Sequence, residues 1–487
     1  MDKFKEYLSH CKLDAKPYQE FGVKWCLERE SEKNKIKGGI IADEMGLGKT
    51  IQMIGLMHAN PVEHTLIVLP PVLMDQWYAA LSKTKIGPIS MYHRNYKNQP
   101  SIHTSKVVIT TYFMIISKTS GYALRSIKWD RIIFDEAHHL RNKKTQKFKA
   151  CKEFKKNNTK MNVWLVTGTP IQNKLNDLIN LLNILGVEEQ ELQTDTEIMK
   201  QVDNFVLKRT KKEVGIKLPE CKIENIYVDW KNKNEEEISE DIHQECGFTK
   251  SNRTTQRVSF KDGSILTQLL RARQMCIAPS IIRKSKSLIY DESENKEIEN
   301  GFQCSSKLQN VVDKIIKSPI SERKIVFCHF IEEINILKSM LTKHYKRQTQ
   351  TVKIEHISGT VKQKDRKEIM VAEDIDILIL QINVGCEGLN LQQYNEIYFV
   401  SLHWNPAVED QAIARCHRIG QTKPVKIYRF IMKNFSNTHN GSDGSKSISF
   451  EEYVDQKQAE KRELSNEFFE NMAPKTLTTK SNNKIKQ

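Results

Sequence analysis

No C-x-x-C pair occurs among the ten cysteines of this 487-residue chain. That absence argues against zinc ribbons, RING modules and a disulfide scaffold, and it points to a reducing compartment. No run of about 18 apolar residues is present, so no segment is expected to span a membrane. The start, MDKFKEYLSH, lacks the apolar core of a signal peptide. What remains is the composition of a soluble, globular protein, with 39% hydrophobic residues and a mean hydropathy of −0.55. Its length suits about two to four domains.

Charge of one sign dominates. The net charge is +16 and the isoelectric point is near 9.2, which favours a polyanionic partner, nucleic acid rather than membrane. A lysine-rich solubilising surface would produce the same excess.

Two blocks of alternating strand and helix patterns organise the chain. In the first, GGIIA (38–42), TLIVLP (65–70), KVVITTY (106–112), RIIFDE (131–136) and NVWLVTG (162–168) read as short buried strands. Helical stretches separate several of them, the signature of a parallel sheet covered on both faces. The second block repeats this with KIVFCHF (324–330), IDILILQ (375–381), NEIYFVS (395–401) and VKIYRFI (425–431). Between the blocks charge is dense, and KNKNEEEISEDIHQE reads as an exposed helix or a loop. Asn437 to Ser447 is a polar insertion expected to form a mobile loop, and the residues after Met472 form a basic tail expected to be disordered.

GIIADEMGLGKT follows a predicted strand and opens a predicted helix, the context that a phosphate-binding loop needs. Gly46 and Gly48 allow backbone N–H groups to turn toward phosphate. Lys49 would neutralise the β- and γ-phosphates of ATP, and Thr50 would place its hydroxyl on Mg²⁺. Asp43 stands where the strict G-x-x-x-x-G-K-[ST] pattern has its first glycine. Asp43, Glu44, Met45, Gly46, Leu47, Gly48, Lys49 and Thr50 are thus the candidate nucleotide-binding residues. Downstream, RIIFDEAHHL puts Asp135 and Glu136 at the end of an apolar strand. Asp135 can hold the magnesium shell and Glu136 can orient and deprotonate water. His138 would sit between the nucleotide and LVTGTPIQN (165–173). In the second block, Gln411, Arg415 and Arg418 fall at i, i+4 and i+7 of a helix predicted from Pro406, on one face. Lys49 and Arg415 are roughly 370 residues apart, the arrangement of an arginine finger supplied by another domain.

With these residues in hand, the chain resembles the SWI/SNF-type ATPases of helicase superfamily two, over about Lys16 to Phe469. KPYQEFGVKW resembles a Q motif, implying that Gln19 reads adenine. LIVLPPVLMDQW and VVITTYF resemble motifs Ia and Ib, LVTGTPIQN motif III, and RKIVFCHF motif IV. ILILQINVGCEGLNL and HWNPAVEDQAIARCHRIGQTKPVKIYRFI resemble motifs V and VI, and FEEYVDQKQAEKRELSNEFF a brace helix. The resemblance implies two RecA-like lobes with parallel sheets covered by helices. It places an ATP-binding lobe at 1–215, helical protrusions at 216–300, a second lobe with the brace helix at 301–472 and a tail at 473–487. It also implies ATP-driven tracking of double-stranded DNA by a monomeric motor, with Gln76, Trp77, Thr110, Thr111, Asn390 and Trp404 as DNA-contact candidates. For Trp77 and Trp404, core packing is the competing reading.

Two positions depart from the family pattern: Cys386 stands where a glycine is usual, and His139 where a basic residue is common. DEAHHLRNKKTQKFKA and RFIMKN lean toward the branch of helicase-like transcription factor and the transcription-termination ATPases, without an inserted RING. The expected cargo is a nucleosome or a transcription or repair complex, in a nucleus, or in a viral factory or virion for a large DNA virus. The alternatives are an RNA-dependent DEAH-box helicase and a catalytically weak DNA-binding scaffold.

Overall fold

Short apolar runs become parallel strands here because each is buried on both faces. The computed structural model describes residues 1–245 (apart from 32, 34 and 159), 265–283, 305–385, 390–435 and 448–470. The chain divides into two compact units, one comprising Met1–Lys217 and the chain from Glu463, the other Leu218–Arg462.

The first unit holds seven strands: β1 (Gly38–Ile41), β2 (Thr65–Leu69), β3 (Ile89–Met91), β4 (Val107–Thr111), β5 (Arg131–Asp135), β6 (Asn162–Val166) and β7 (Val206–Leu207). They form one sheet in the order β3-β4-β2-β5-β6-β1-β7, and every pairing is parallel. Side chains alternate between two cores, as a period of two requires. Leu66, Val68, Ile132, Phe134, Val163 and Leu165 face one layer. Ile67, Leu69, Ile133, Trp164 and Val166 face the other.

The second unit holds β8 (Cys221–Val228), β9 (Lys324–Cys328), β10 (Ile354–Ile357), β11 (Ile377–Gln381), β12 (Glu396–Phe399) and β13 (Val425–Met432). Their order is β10-β11-β9-β12-β13-β8, again all parallel. The same alternation recurs, with Val326, Ile379 and Tyr398 on one side and Phe327, Leu380 and Ile397 on the other.

All nine expected strands are present; β3, β7, β8 and β10 are additional. Described parts of the stretch 216–300 belong to the sheet and core of the second unit. Cys221–Val228 pairs along its whole length with β13, and Ala272, Cys276 and Ile277 join the core of the second unit. KNKNEEEISEDIHQE forms a helix, Lys233–Glu245, yet it is not exposed all round. Ile238 and Ile242 pack with Met275 and Ile282. The insertion Asn437–Ser447, the tail 473–487 and Cys386 lie outside the described residues. No helix among the described residues is long and apolar enough to cross a membrane.

Candidate nucleotide site

In a parallel sheet the carboxyl ends of all strands lie at one edge, and β1 and β5 deliver their loops there. After β1 the chain turns through Gly46 (φ 93°) and Gly48 (φ 76°) and enters the helix Lys49–Ala59. The left-handed backbone at Gly48 matters, and so does its missing side chain. A Cβ there would stand 2.4 Å from Gln19 Nε2. Gln19, buried at 5% exposure, instead donates to the Leu47 carbonyl at 3.2 Å. Gln19 is therefore fastened to the loop itself.

Lys49 Nζ donates to the Asp43 carbonyl at 2.8 Å, which draws its ammonium across the loop. Gly168, from the segment after β6, comes close to it; a Cβ on Gly168 would be 3.5 Å from Lys49 Nζ and 2.9 Å from Met45 Cγ. Thr50 is the second residue of the helix and partly exposed. Leu47 is buried and holds the loop from beneath.

Asp43 requires a correction as a nucleotide-facing residue. Its carboxylate is fully buried and pairs with Arg209 through Nε (2.9 Å) and Nη2 (2.5 Å). Gln52 Nε2 adds a third donor at 3.0 Å. The carboxylate is consumed inside the unit, and only its backbone carbonyl serves Lys49. Glu44 is likewise tied down, by the Lys211 backbone N–H (2.7 Å) and ammonium (2.9 Å). Neither Arg209 nor Lys211 emerges from the motif reading, because their partners are more than 160 residues away in the chain.

Asp135 closes β5. Trp77 Nε1 donates to Oδ2 at 2.7 Å, the Glu136 N–H donates to Oδ1 at 2.9 Å, and the Tyr112 hydroxyl donates to its carbonyl at 2.8 Å. Burial, and then the neighbouring Glu136, push the Asp135 carboxyl up to about 6, while Trp77 and Lys49 act the other way. A carboxylate destabilised by desolvation is one that a cation would relieve. Each of its oxygens retains a lone pair beyond the bonds named. Asp135 and Thr50 each offer oxygen of the kind that suits Mg²⁺. Glu136 adopts a left-handed backbone (φ 50°), a strain of about 1 kcal/mol of the kind that marks working sites. Its carboxylate lies 3.2 Å from His138 Nδ1, which also approaches Thr167 Oγ1 at 3.5 Å. His138 and His139 stack at 4.7 Å.

Three DNA-contact candidates also need correcting, since their side chains are not presented at the surface. Trp77 is 1% exposed and spends its only donor on Asp135. Thr110 and Thr111 are buried in β4. The Thr110 hydroxyl donates to the Tyr92 carbonyl at 2.8 Å, and the Thr111 hydroxyl caps the following helix by accepting from Met114 N. Gln76 and Asn390 are exposed. Trp404 is 37% exposed, backed by Tyr453 (5.8 Å) and with Lys461 Nζ 5.1 Å from its ring centroid.

In the second unit the helix Pro406–Cys416 is capped by the Asn405 side chain. It carries Gln411, which is buried, with Nε2 lacking a hydrogen-bond partner among the described residues. Arg415 follows one turn later. Arg418 lies past the helix end, so the single i, i+4, i+7 face is not observed. The two guanidiniums are nonetheless neighbours. Burial, and then Arg415, lower the Arg418 pKa.

Comparison with known proteins agrees with this architecture. A family model described as SNF2-related domain matches residues 18–281, and one described as helicase conserved C-terminal domain matches 306–420. The "Uncharacterized ATP-dependent helicase MG018" of Mycoplasma genitalium is 30% identical, covering 93% of this chain and 42% of its own length. The "Probable global transactivator" of Orgyia pseudotsugata multicapsid polyhedrosis virus is 26% identical, covering 94% and 91%. The "ISWI chromatin-remodeling complex ATPase ISW1" of Saccharomyces cerevisiae is 27% identical, covering 89% and 40%. The chain spans less than half of the mycoplasma and yeast relatives and nearly all of the viral one. With two units of parallel sheet and a family-model match over more than half its length, the chain belongs to the SNF2 family of helicase-like ATPases.

Proposed function

We propose that the chain is an ATP-hydrolysing motor that tracks double-stranded DNA and slides or displaces the proteins bound to it. The observation that carries this reading is the convergence of Lys49, Gly168 and the Asp135–Glu136 pair at one sheet edge. Lys49 would meet the β- and γ-phosphates, helped by loop N–H groups at the helix N-terminus. Thr50 and Asp135 would hold Mg²⁺, whose charge neutralises the phosphate oxygens when bound. Glu136, turned by its left-handed backbone and steadied by His138, would take a proton from the attacking water. Gln411, Arg415 and Arg418 would meet the charge that develops on the transferred phosphoryl group, a contribution of about 10³–10⁵ for an arginine finger.

Duplex DNA as the track rests on the +16 charge and on a relative named for chromatin remodelling. Gln76, Asn390 and Trp404 remain the surface candidates for it, with contacts mostly to phosphates and therefore steep salt dependence. The cargo would be a nucleosome or a transcription or repair complex. The motor would act as a monomer in a nucleus, or in a viral factory or virion if the source is a large DNA virus.

The test is ATP turnover at fixed salt with duplex DNA, RNA, nucleosomes and a stalled transcription complex as activators. Duplex DNA, bare or assembled, should stimulate most, and equal or stronger stimulation by RNA would overturn the assignment in favour of an RNA-dependent helicase. Glu136→Gln should cut turnover by about 10²–10⁴, the range of a lost general base, and leave DNA affinity unchanged. Normal hydrolysis by that variant would remove Glu136 from its role.

A further inference from the structure

At the opposite end of the first sheet, where strands begin, lies a cavity of about 660 Å³. It is framed by the helix Gln146–Asn157, the end of the helix Leu175–Leu185 and the segment leading into β1. Six lysines line it, Lys35, Lys143, Lys149, Lys152, Lys155 and Lys156, against one carboxylate, Glu153. That carboxylate is already approached by Arg125 at 3.7 Å. Lys143 has Glu189 at 3.6 Å, but Lys35, Lys149, Lys152 and Lys156 have no ion pair among the described residues. Lys149, Lys152 and Lys156 fall at i, i+3 and i+7 of one helix and so share a stripe. Lys155 donates to the Met161 carbonyl at 2.9 Å. Burial, then repulsion from Lys37, lower its pKa to about 8. The floor is apolar: Phe148 belongs to the core, Ile36 packs against it, and the lysine stems add methylenes to the walls.

A concentrated positive rim around an apolar floor is an unusual combination for a solvated surface. Like charges at helical spacing repel, and an anion would remove that cost. We propose that this cavity is a docking site for an acidic protein segment carrying one large apolar side chain between its carboxylates. The apolar side chain would fill the floor and the flanking carboxylates would meet Lys35 and the 149–152–156 stripe. Nucleic acid fits the rim but not the floor. A duplex presents phosphates on a convex surface and has nothing apolar to place in a concave pocket of this volume. Because the strands are parallel, the cavity lies a strand length from the nucleotide loop, so an acidic partner could sit there while the site turns over. The site is independent of the DNA-tracking proposal, since no residue in it belongs to the nucleotide or DNA candidates.

The probe is a fluorescein-labelled synthetic peptide with one phenylalanine flanked on both sides by aspartates and glutamates, titrated with the full chain and read by anisotropy. Lys149→Glu combined with Lys152→Glu, both exposed positions, should weaken it at least about tenfold. Replacing the peptide's phenylalanine by serine should weaken it similarly. Melting temperature and ATP turnover of the double variant should match the parent. The proposal fails if the two peptides bind alike, if the charge reversal leaves peptide affinity unchanged, or if a duplex oligonucleotide loses more affinity than the peptide in the same variant.

Discussion

Removing one half of the Asp43–Arg209 pair should be among the most damaging changes available in the first unit. The carboxylate is 0% and the guanidinium 6% exposed. Arg209 also donates to the Tyr18 carbonyl at 2.5 Å and to Gln52 Oε1 at 3.1 Å. Arg209→Met would leave a buried carboxylate with one neutral side-chain donor, Gln52, and a carbonyl with no donor from that side chain. Breaking a buried pair from one side costs about 3–5 kcal/mol. Asp43→Asn strands the guanidinium and should cost a similar amount. Asp43→Asn with Arg209→Met removes both charges, so its cost should fall short of the sum of the singles by about 2 kcal/mol or more, within the range of coupled neighbours. The assay is urea denaturation of the full chain, with hydrogen exchange over residues 42–52 isolating the first unit from the second. Function should follow, because the Asp43 carbonyl holds the Lys49 ammonium. The singles should raise the KM for ATP more than they lower kcat. Two single variants each costing under about 1 kcal/mol, with additive effects, would refute the argument, since no buried pair behaves so.

Gly48→Ala should weaken ATP binding by about 1–2 kcal/mol, from a left-handed backbone and a Cβ 2.4 Å from Gln19 Nε2. Calorimetric titration showing wild-type affinity would rule this out. Trp77→Phe should cost about 1.5–3 kcal/mol, the worth of a hydrogen bond to a charged group. It should also move the acid limb of the ATPase pH profile upward, because the lost bond favours the ionised Asp135; an unmoved limb with unchanged stability would contradict it. In the second unit His243 is buried and His403 half-buried, and desolvation holds both near 4, below the ordinary 6.5. Their stabilisation is therefore complete above pH 6.5 and is lost as pH falls toward 4, by about 2 kcal/mol each at pH 5. Glu333 runs the other way: burial raises it to about 7, so its ionised form is unfavourable above pH 7 and is relieved as pH falls toward 4.5. Glu333→Gln should accordingly be more stable than the parent at pH 8 and lose most of that advantage at pH 5. Urea midpoints at the two pH values would show it, and an equal advantage at both would refute it.

What the residues reveal in order along the chain depends on whether the partner that shapes them is near in sequence. β1, β2, β5 and β6 are legible because burial on both faces writes itself as an apolar run. β8 is not, because five of its eight residues are exposed. What makes CKIENIYV a strand is its register with β13, some 200 residues on. The loop around Gly48 and Lys49 is readable for the same local reason, since its glycines and helix start are consecutive. Asp43 is misread from the same string because its partner, Arg209, arrives from beyond β7. Trp77 shows the converse error. Its motif resemblance implied a surface contact, but an indole at 1% exposure needs an acceptor, and Asp135 supplies one. Arg418 fails by extrapolation of a helical period past Cys416. His417 turns out of the helix (φ −88°, ψ 78°), its Nε2 lies 2.8 Å from the Pro219 carbonyl, and Gly420 takes a left-handed backbone (φ 101°). The Asp43 and Trp77 misreadings each involve a polar or charged group whose need for a partner is certain but whose partner is distant. Buried polar groups are thus where a motif's residue types are least informative about direction. The Asp135–Trp77 bond illustrates the consequence: a residue expected to touch the track instead holds the carboxylate at the nucleotide end. Any coupling between track and nucleotide through this helix would then run through Met74–Ser82 as a body, with Gln76 exposed on one side and Trp77 fixed to Asp135 on the other.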